Sequence, residues 1–191
     1  TLYLHGRDRK HLDKLTSECT KNGSKCFSFT CDLCDPSQIE NMKKDIDCFI
    51  ANFNQLDIFV FCAGGLGDMD PISFLKIEED FLRIMQLNFL SCVDLFEFII
   101  PKLSSNSSAI FITSTNTFIP LECGSSYCTS KSALKKFMKS KAIELGVKGI
   151  RVNTIAPGIV ETKMHNQYFD SKEEIQDFFE KCKKEHPLGR I

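Results

Sequence analysis

Ser114, Tyr127 and Lys131 are the side chains in this sequence whose types and spacing could act together on one carbonyl oxygen. Tyr127 and Lys131 are four residues apart, so a helix across them stacks phenol and ammonium on one face. Ser114 precedes Tyr127 by thirteen residues and follows the apolar run 109–112, which reads as a buried strand. That spacing returns the chain from a strand end to a helix start. A free phenol titrates near pH ~10, too high for ready proton exchange at neutral pH. An ammonium about 4 Å away is worth ~4 kcal/mol at an effective dielectric near ~20, or roughly three pKa units. On that expectation Lys131 makes Tyr127 a working general acid or base. Ser114 then holds the substrate oxygen, so that proton and hydride arrive on one oriented carbonyl.

The spacing alone is weak, because Tyr168 and Lys172 share it. That second pair has Ile155 where a serine would be needed, and it reads as an aromatic beside a solvated lysine.

Positioning such a site takes a folded core. The chain of 191 residues is 42% hydrophobic and 26% charged, which suits one globular domain spanning 1–191. Its formal net charge is −1, so nothing in the balance asks for a nucleic-acid partner. Lysines 135, 136, 139 and 141 are interrupted by apolar residues and read as a solvated helix face. No run is expected to reach the ~18 apolar residues of a membrane helix, and no signal-peptide pattern opens the chain. Of ten cysteines, Cys31 and Cys34 form a Cys-x-x-Cys, but the histidines at 5, 11, 165 and 186 are scattered and no metal site is expected. Cys26, Cys62 and Cys92 lie in apolar surroundings, where a free thiol packs as a small hydrophobe. Reduced thiols imply an intracellular compartment, with cytoplasm, mitochondrion and peroxisome all open.

Strands are predicted at 1–5, 25–30, 56–61, 109–112 and 150–155, and helices at 9–20, 78–100, 126–145 and 172–185. A further helix is signed by Asp35 as N-cap and Pro36 at its first position. A glycine-rich loop covers 64–67. This alternation implies an α/β fold, a doubly wound parallel sheet in three α/β/α layers.

Six segments in order carry a resemblance: Asp32-Leu33, Asp57-Ile-Phe-Val-Phe-Cys-Ala-Gly64, Leu87-Asn88, Ile112-Thr-Ser114, Tyr127-Cys-Thr-Ser-Lys131 and Arg151-Val-Asn-Thr-Ile-Ala-Pro-Gly158. The chain resembles the short-chain dehydrogenases/reductases from its first residue to its last. The resemblance implies a Rossmann-like fold and an oxidoreductase that moves hydride between NADP(H) and a carbonyl or secondary alcohol. In that reading Tyr127 is the general acid/base, Lys131 lowers its pKa and bonds the nicotinamide ribose, and Ser114 orients the oxygen. Asn88 holds a water that links Lys131 to solvent.

Cofactor contacts implied in the same way are Asp32 and Leu33 near the adenine, Ala63 and Gly64 along the adenosine, Pro157 and Gly158 at the nicotinamide carboxamide, and Thr162 at the carboxamide or phosphates. Arg7 stands where an acid would bond a ribose 2′-hydroxyl and an arginine accommodates a 2′-phosphate, so NADP(H) is favoured over NAD(H). Phe61 and Cys62 replace two asparagines of the family pattern. The polar segment 161–172, with His165, Tyr168 and Phe169, is the expected substrate lid. Pro187-Leu-Gly-Arg190 is similar to 3-oxoacyl and broad carbonyl reductases, and the long helices imply a homodimer or homotetramer.

The resemblance also implies strand order 3-2-1-4-5-6-7, with this chain entering at the second strand. The first strand would lie between 1–5 and 56–61 and carry the glycine-rich turn that holds a pyrophosphate. A fragment is therefore expected, with two bare parallel edges, poor folding alone and no tight dinucleotide binding. The alternative from a different class is a non-catalytic remnant acting through protein–protein contacts.

Overall fold

The computed structural model describes residues 1–53, 55–67 and 77–191, without the side chains of 77–79, 163 and 167. The first strand, β1 (Leu2–Gly6), runs into α1 (Arg9–Lys21), and the turn between them is fixed by Asp8, whose carboxylate accepts from the His11 N–H as an N-cap. Strand β2 (Cys26–Thr30) follows and pairs with β1 in parallel. Next comes α2 (Pro36–Ala51), started as the sequence predicts by Asp35 and Pro36. The Asp35 carboxyl is held down at about 2 by hydrogen bonds from Ser37 and Gln38. Ile39, Met42, Ile46, Phe49 and Ile50 recur at helical spacing and form the buried stripe of α2.

Strand β3 (Leu56–Phe61) leads through the glycine loop to α3 (Ile77–Met85). The long helix predicted for 78–100 is not one regular helix. Its middle, Gln86–Leu90, is a π-helical segment, after which α4 (Ser91–Ile99) resumes. The widened turn adds a residue to the helical repeat there and turns Leu87 and Asn88 both inward, to 7% and 0% exposure. Strand β4 (Leu103–Ile112), α5 (Ser125–Gly146), β5 (Arg151–Ile155) and α6 (Lys172–Glu185) complete the alternation. Strand β4 is longer than its apolar part because Leu56 pairs with Leu103 while Ile58 pairs with Ser108; the extra residues bulge out, with Asn106 at φ 72°.

All described pairings are parallel, β1-β2 in one ladder and β3-β4-β5 in another. Between β1 and β3, where the resemblance leaves a strand out, the sheet is split by a cavity of about 1010 Å³. Phe96 of α4 locks the second ladder from one side, its ring 4.8 Å from Phe111 and 5.7 Å from Phe59. The other side of that ladder is less covered, with Ile58, Val60 and Ile155 at 66%, 53% and 51% exposure.

One expectation about apolar runs is corrected. The helical stretch Asp80–Lys102 is long and apolar enough to cross a membrane by length and composition. Its packing is that of a core helix: Cys92 and Phe96 are fully buried, and its acids pair with neighbouring elements, Asp94 with Lys43 at 2.7 Å and Glu97 with Lys141 at 2.6 Å. Cys62 is likewise exposed rather than packed, whereas Cys31 and Cys92 are buried. The lysine face of α5 is only partly solvated, since Lys135 lies over the Phe118 ring and Lys141 bridges Glu97 and Glu144.

Candidate active site

Helix α5 buries Ser126, Tyr127, Ser130, Lys131 and Leu134 along one face, so the four-residue spacing of Tyr127 and Lys131 does place both inward. Tyr127 is 8% exposed and Lys131 4%. Ser114 is 6% exposed at the end of β4. Its loop is stitched to the segment after β5: the Thr113 N–H donates to the Ile155 carbonyl at 2.8 Å and the Thr115 N–H to the Pro157 carbonyl at 3.0 Å. One set of bonds therefore fixes both Ser114 and Pro157.

The Ser114 hydroxyl donates to Asn116 Oδ1 at 2.9 Å and accepts from the Asn116 N–H at 3.1 Å. It is also close enough to Tyr127 to pull down the phenol's pKa, which burial as the larger effect raises. The ammonium of Lys131 is held by a backbone carbonyl. Its Nζ donates to the Ile112 carbonyl at 3.0 Å and lies beside Gly64. Burial brings the Lys131 pKa down to about 8, against a smaller opposite effect of the Cys92 and Cys62 thiols. Tyr127 thus keeps its proton at neutral pH, and the lowered pKa falls on Lys131.

Asn88 is wholly buried in the π-helical segment and clamps the glycine loop. Its Oδ1 accepts from the Gly65 N–H at 2.8 Å, and its Nδ2 donates to the Gly65 carbonyl at 2.9 Å and to Ser130 Oγ at 3.0 Å. Ser130 in turn donates to the Tyr127 carbonyl at 2.8 Å. A chain of contacts therefore runs from the loop through Asn88 and Ser130 to the backbone of Tyr127. Sequence reasoning gave Asn88 a water-relay role and missed Ser130 and Asn116, although Ser130 lies inside the Tyr-Cys-Thr-Ser-Lys segment.

Gly64 has little room for a side chain: a Cβ would lie 2.9 Å from Lys131 Nζ and 3.1 Å from Asn88 Oδ1. Ala63 is half-buried beside it. Asp32 is held in a turn, its Oδ1 accepting from the Cys34 N–H at 2.9 Å. Leu33 is a core residue at 2% exposure, and its carbonyl accepts from Gln86 Nε2 at 3.4 Å. Arg7 is exposed after β1, while Asp8 next to it is engaged as a helix cap. Gly158 and Thr162 are exposed beyond β5. The second Tyr-Lys pair does different work, since the Tyr168 hydroxyl donates to the Gly67 carbonyl at 2.6 Å and ties the 3₁₀ segment Lys163–Tyr168 to the glycine loop.

For a nicotinamide nucleotide the fit is good on the reacting side. Lys131 is a buried, hydrogen-bonding cation with no carboxylate partner among the described residues, and Gly64, lacking a Cβ, lets the loop backbone lie directly against it. The pyrophosphate side differs. The N-termini of α1 and α2, natural anion sites, already carry the carboxylates of Asp8 and Asp35.

A family model for short chain dehydrogenases matches residues 1–184. The 7alpha-hydroxysteroid dehydrogenase of Escherichia coli is 31% identical over 153 residues, 78% of this chain and 56% of that protein. The short chain aldehyde dehydrogenase 1 of Euphorbia lathyris is 31% identical over 144 residues, 73% of this chain and 49% of that protein. The chain thus spans about half the length of these curated relatives. A short-chain dehydrogenase/reductase of unknown function from Caenorhabditis elegans, solved with cofactor, superposes with a TM-score of 0.86 at 22% identity, covering 99% of this chain and 72% of that one. With the parallel ladders, the intervening helices and the buried Ser114, Tyr127 and Lys131 in view, the chain belongs to the short chain dehydrogenase family.

Proposed function

We propose that this chain carries the catalytic side of an NADP(H)-dependent oxidoreductase acting on a carbonyl or secondary alcohol, of the 3-oxoacyl- or carbonyl-reductase kind. The observation that carries this reading is the burial together of the Ser114 and Tyr127 hydroxyls and the Lys131 ammonium, with Ser114 lowering the phenol's pKa against the larger effect of burial. When bound, the nicotinamide nucleotide supplies or takes up the hydride. The Ser114 hydroxyl holds the substrate oxygen by turning its one proton from Asn116 Oδ1 to that oxygen, while the Asn116 N–H keeps donating to it. The Tyr127 phenol, protonated at neutral pH, gives its proton to the oxygen as negative charge develops there.

Lys131, with a pKa near 8, is the group best able to pass a proton onward and to bond a ribose hydroxyl. Asn88 acts through Gly65 and Ser130, as a positioning residue for the loop and for Tyr127. Exposed Arg7, unlike the capped Asp8, is free to meet a 2′-phosphate, which supports NADP(H) over NAD(H).

The test is a ketone and 3-oxoacyl-thioester screen that follows nicotinamide absorbance with NADPH and with NADH. Ketone-dependent oxidation of NADPH in preference to NADH is expected, with the preference reversed in Arg7→Glu. Equal use of both nucleotides by both proteins removes the NADP(H) assignment. No turnover of any carbonyl with either nucleotide removes the reductase reading.

A further inference from the structure

All ten cysteines carry free thiols. The pair that the sequence singles out, Cys31 and Cys34, is divided by the fold. Cys31 is fully buried in the core, and the Cys34 thiol turns to α3, where it donates to the Arg83 carbonyl at 3.9 Å. Cys92 is sealed in the core as well, and Cys128 is engaged, its sulfur accepting from the Leu121 N–H at 3.4 Å.

A different pair is brought together. Helix α1 ends on a glycine turn, with Gly23 at φ 86°, which lets the chain double back into β2. The Gly23 N–H donates to the Thr20 carbonyl at 2.9 Å and the Ser24 N–H to the Cys19 carbonyl at 3.0 Å, so the approach to β2 is clamped against the last turn of α1. Cys26 opens β2, and its thiol donates back to the Ser24 carbonyl at 3.7 Å. Ser24 therefore holds both partners, the Cys19 backbone through its N–H and the Cys26 thiol through its C=O. The two thiols come within side-chain hydrogen-bonding reach of each other. Both are half-buried, so a small reagent in solvent has access to them.

We propose that Cys19 and Cys26 are a reversible disulfide site, oxidised by a small disulfide such as oxidised glutathione, which staples the last turn of α1 to the first residue of β2. The Cys26 thiolate attacks the glutathione disulfide and releases one reduced glutathione. Cys19 then loses its proton to solvent and attacks the Cys26 sulfur of the mixed disulfide, releasing the second glutathione. Two protein thiols are oxidised and one glutathione disulfide is reduced. Burial, and after it the neighbouring Cys26, holds the Cys19 thiol above its ordinary pKa, which suits it to the second step, where contact with the mixed disulfide makes up for the scarcity of thiolate.

Sequence separation and fold favour different pairs. In an unfolded chain the shorter loop closes more readily, which favours Cys31–Cys34 over Cys19–Cys26. The test treats the 191-residue chain with oxidised glutathione in buffer and in urea, blocks the remaining thiols, and maps the disulfides by mass. In buffer, Cys19–Cys26 is expected in at least ~10-fold excess over Cys31–Cys34, and in urea the excess is expected to vanish. Cys19→Ser is expected to stop at a glutathione adduct on Cys26. Oxidation of the unaltered chain is expected to slow amide exchange at Gly23 and Ser24 by at least ~10-fold.

A different dominant pair in buffer, glutathione adducts on both Cys19 and Cys26 with no disulfide between them, or the same pattern in buffer and urea overturns the proposal. So does a Cys19–Cys26 bond that leaves exchange at Gly23 and Ser24 unchanged, since it would then staple nothing.

Discussion

The ammonium of Lys131 lies so near the α-carbon of Gly64 that a β-carbon there would sit 2.9 Å from Nζ. The same β-carbon would come within 3.1 Å of Asn88 Oδ1, so loop, helix α5 and the π-helical segment meet at this glycine with no slack. Gly64→Ala is expected to displace Lys131 or Asn88 and to lower stability by ~1–3 kcal/mol, the usual range for overpacking a tight site. Urea midpoints of the two proteins check this.

Asn88 satisfies three polar partners, the N–H and C=O of half-buried Gly65 and the hydroxyl of buried Ser130. Asn88→Leu fills a similar volume but leaves those groups unpaired, at ~1–3 kcal/mol each before relaxation. A loss of at least ~2 kcal/mol is expected in denaturant unfolding, with faster amide exchange at Gly65.

How much of this was legible in the sequence depends on whether a residue's role is local. Tyr127 and Lys131 were readable because four residues on a helix is one turn, and Asp35-Pro36 because capping is decided by neighbours. The π-helical turn at Gln86–Leu90 was not, since its hydrogen-bond shift leaves no mark in apolar periodicity; the only trace was an asparagine between Leu87 and Phe89. The polar first half of β4 was hidden because it has no apolar alternation of its own: Leu103 pairs with Leu56, and the residues before Ser108 bulge out of the ladder. The direction of the Lys131 ammonium depends on where the Ile112 carbonyl falls in space, which no spacing rule reports.

The lysine gives a pH signature. Its folded pKa of about 8 lies below the ordinary 10.5, so between those values the unfolded chain binds the extra proton. Stability is therefore expected to rise as pH climbs from 8 towards 10.5, by up to ~3 kcal/mol from this group alone. Below pH 8 the buried charge is carried in full and this gain is absent. Lys131→Met should flatten the rise, read as the difference between urea midpoints of the two proteins at pH 7.5 and pH 10.

Tyr168→Phe removes the 2.6 Å bond to the Gly67 carbonyl. It is expected to cost ~1 kcal/mol or less in global stability, and to quicken proteolytic cleavage around the 3₁₀ segment Lys163–Tyr168. Limited proteolysis followed by mass analysis checks it.

We propose that the buried phenol of Tyr127 moves the proton. The direct measurement is kcat for ketone reduction by Tyr127→Phe, with nucleotide affinity measured separately by titration. A loss of at least ~10²-fold in kcat with unchanged nucleotide affinity is predicted; a rate near that of the unaltered protein contradicts the account.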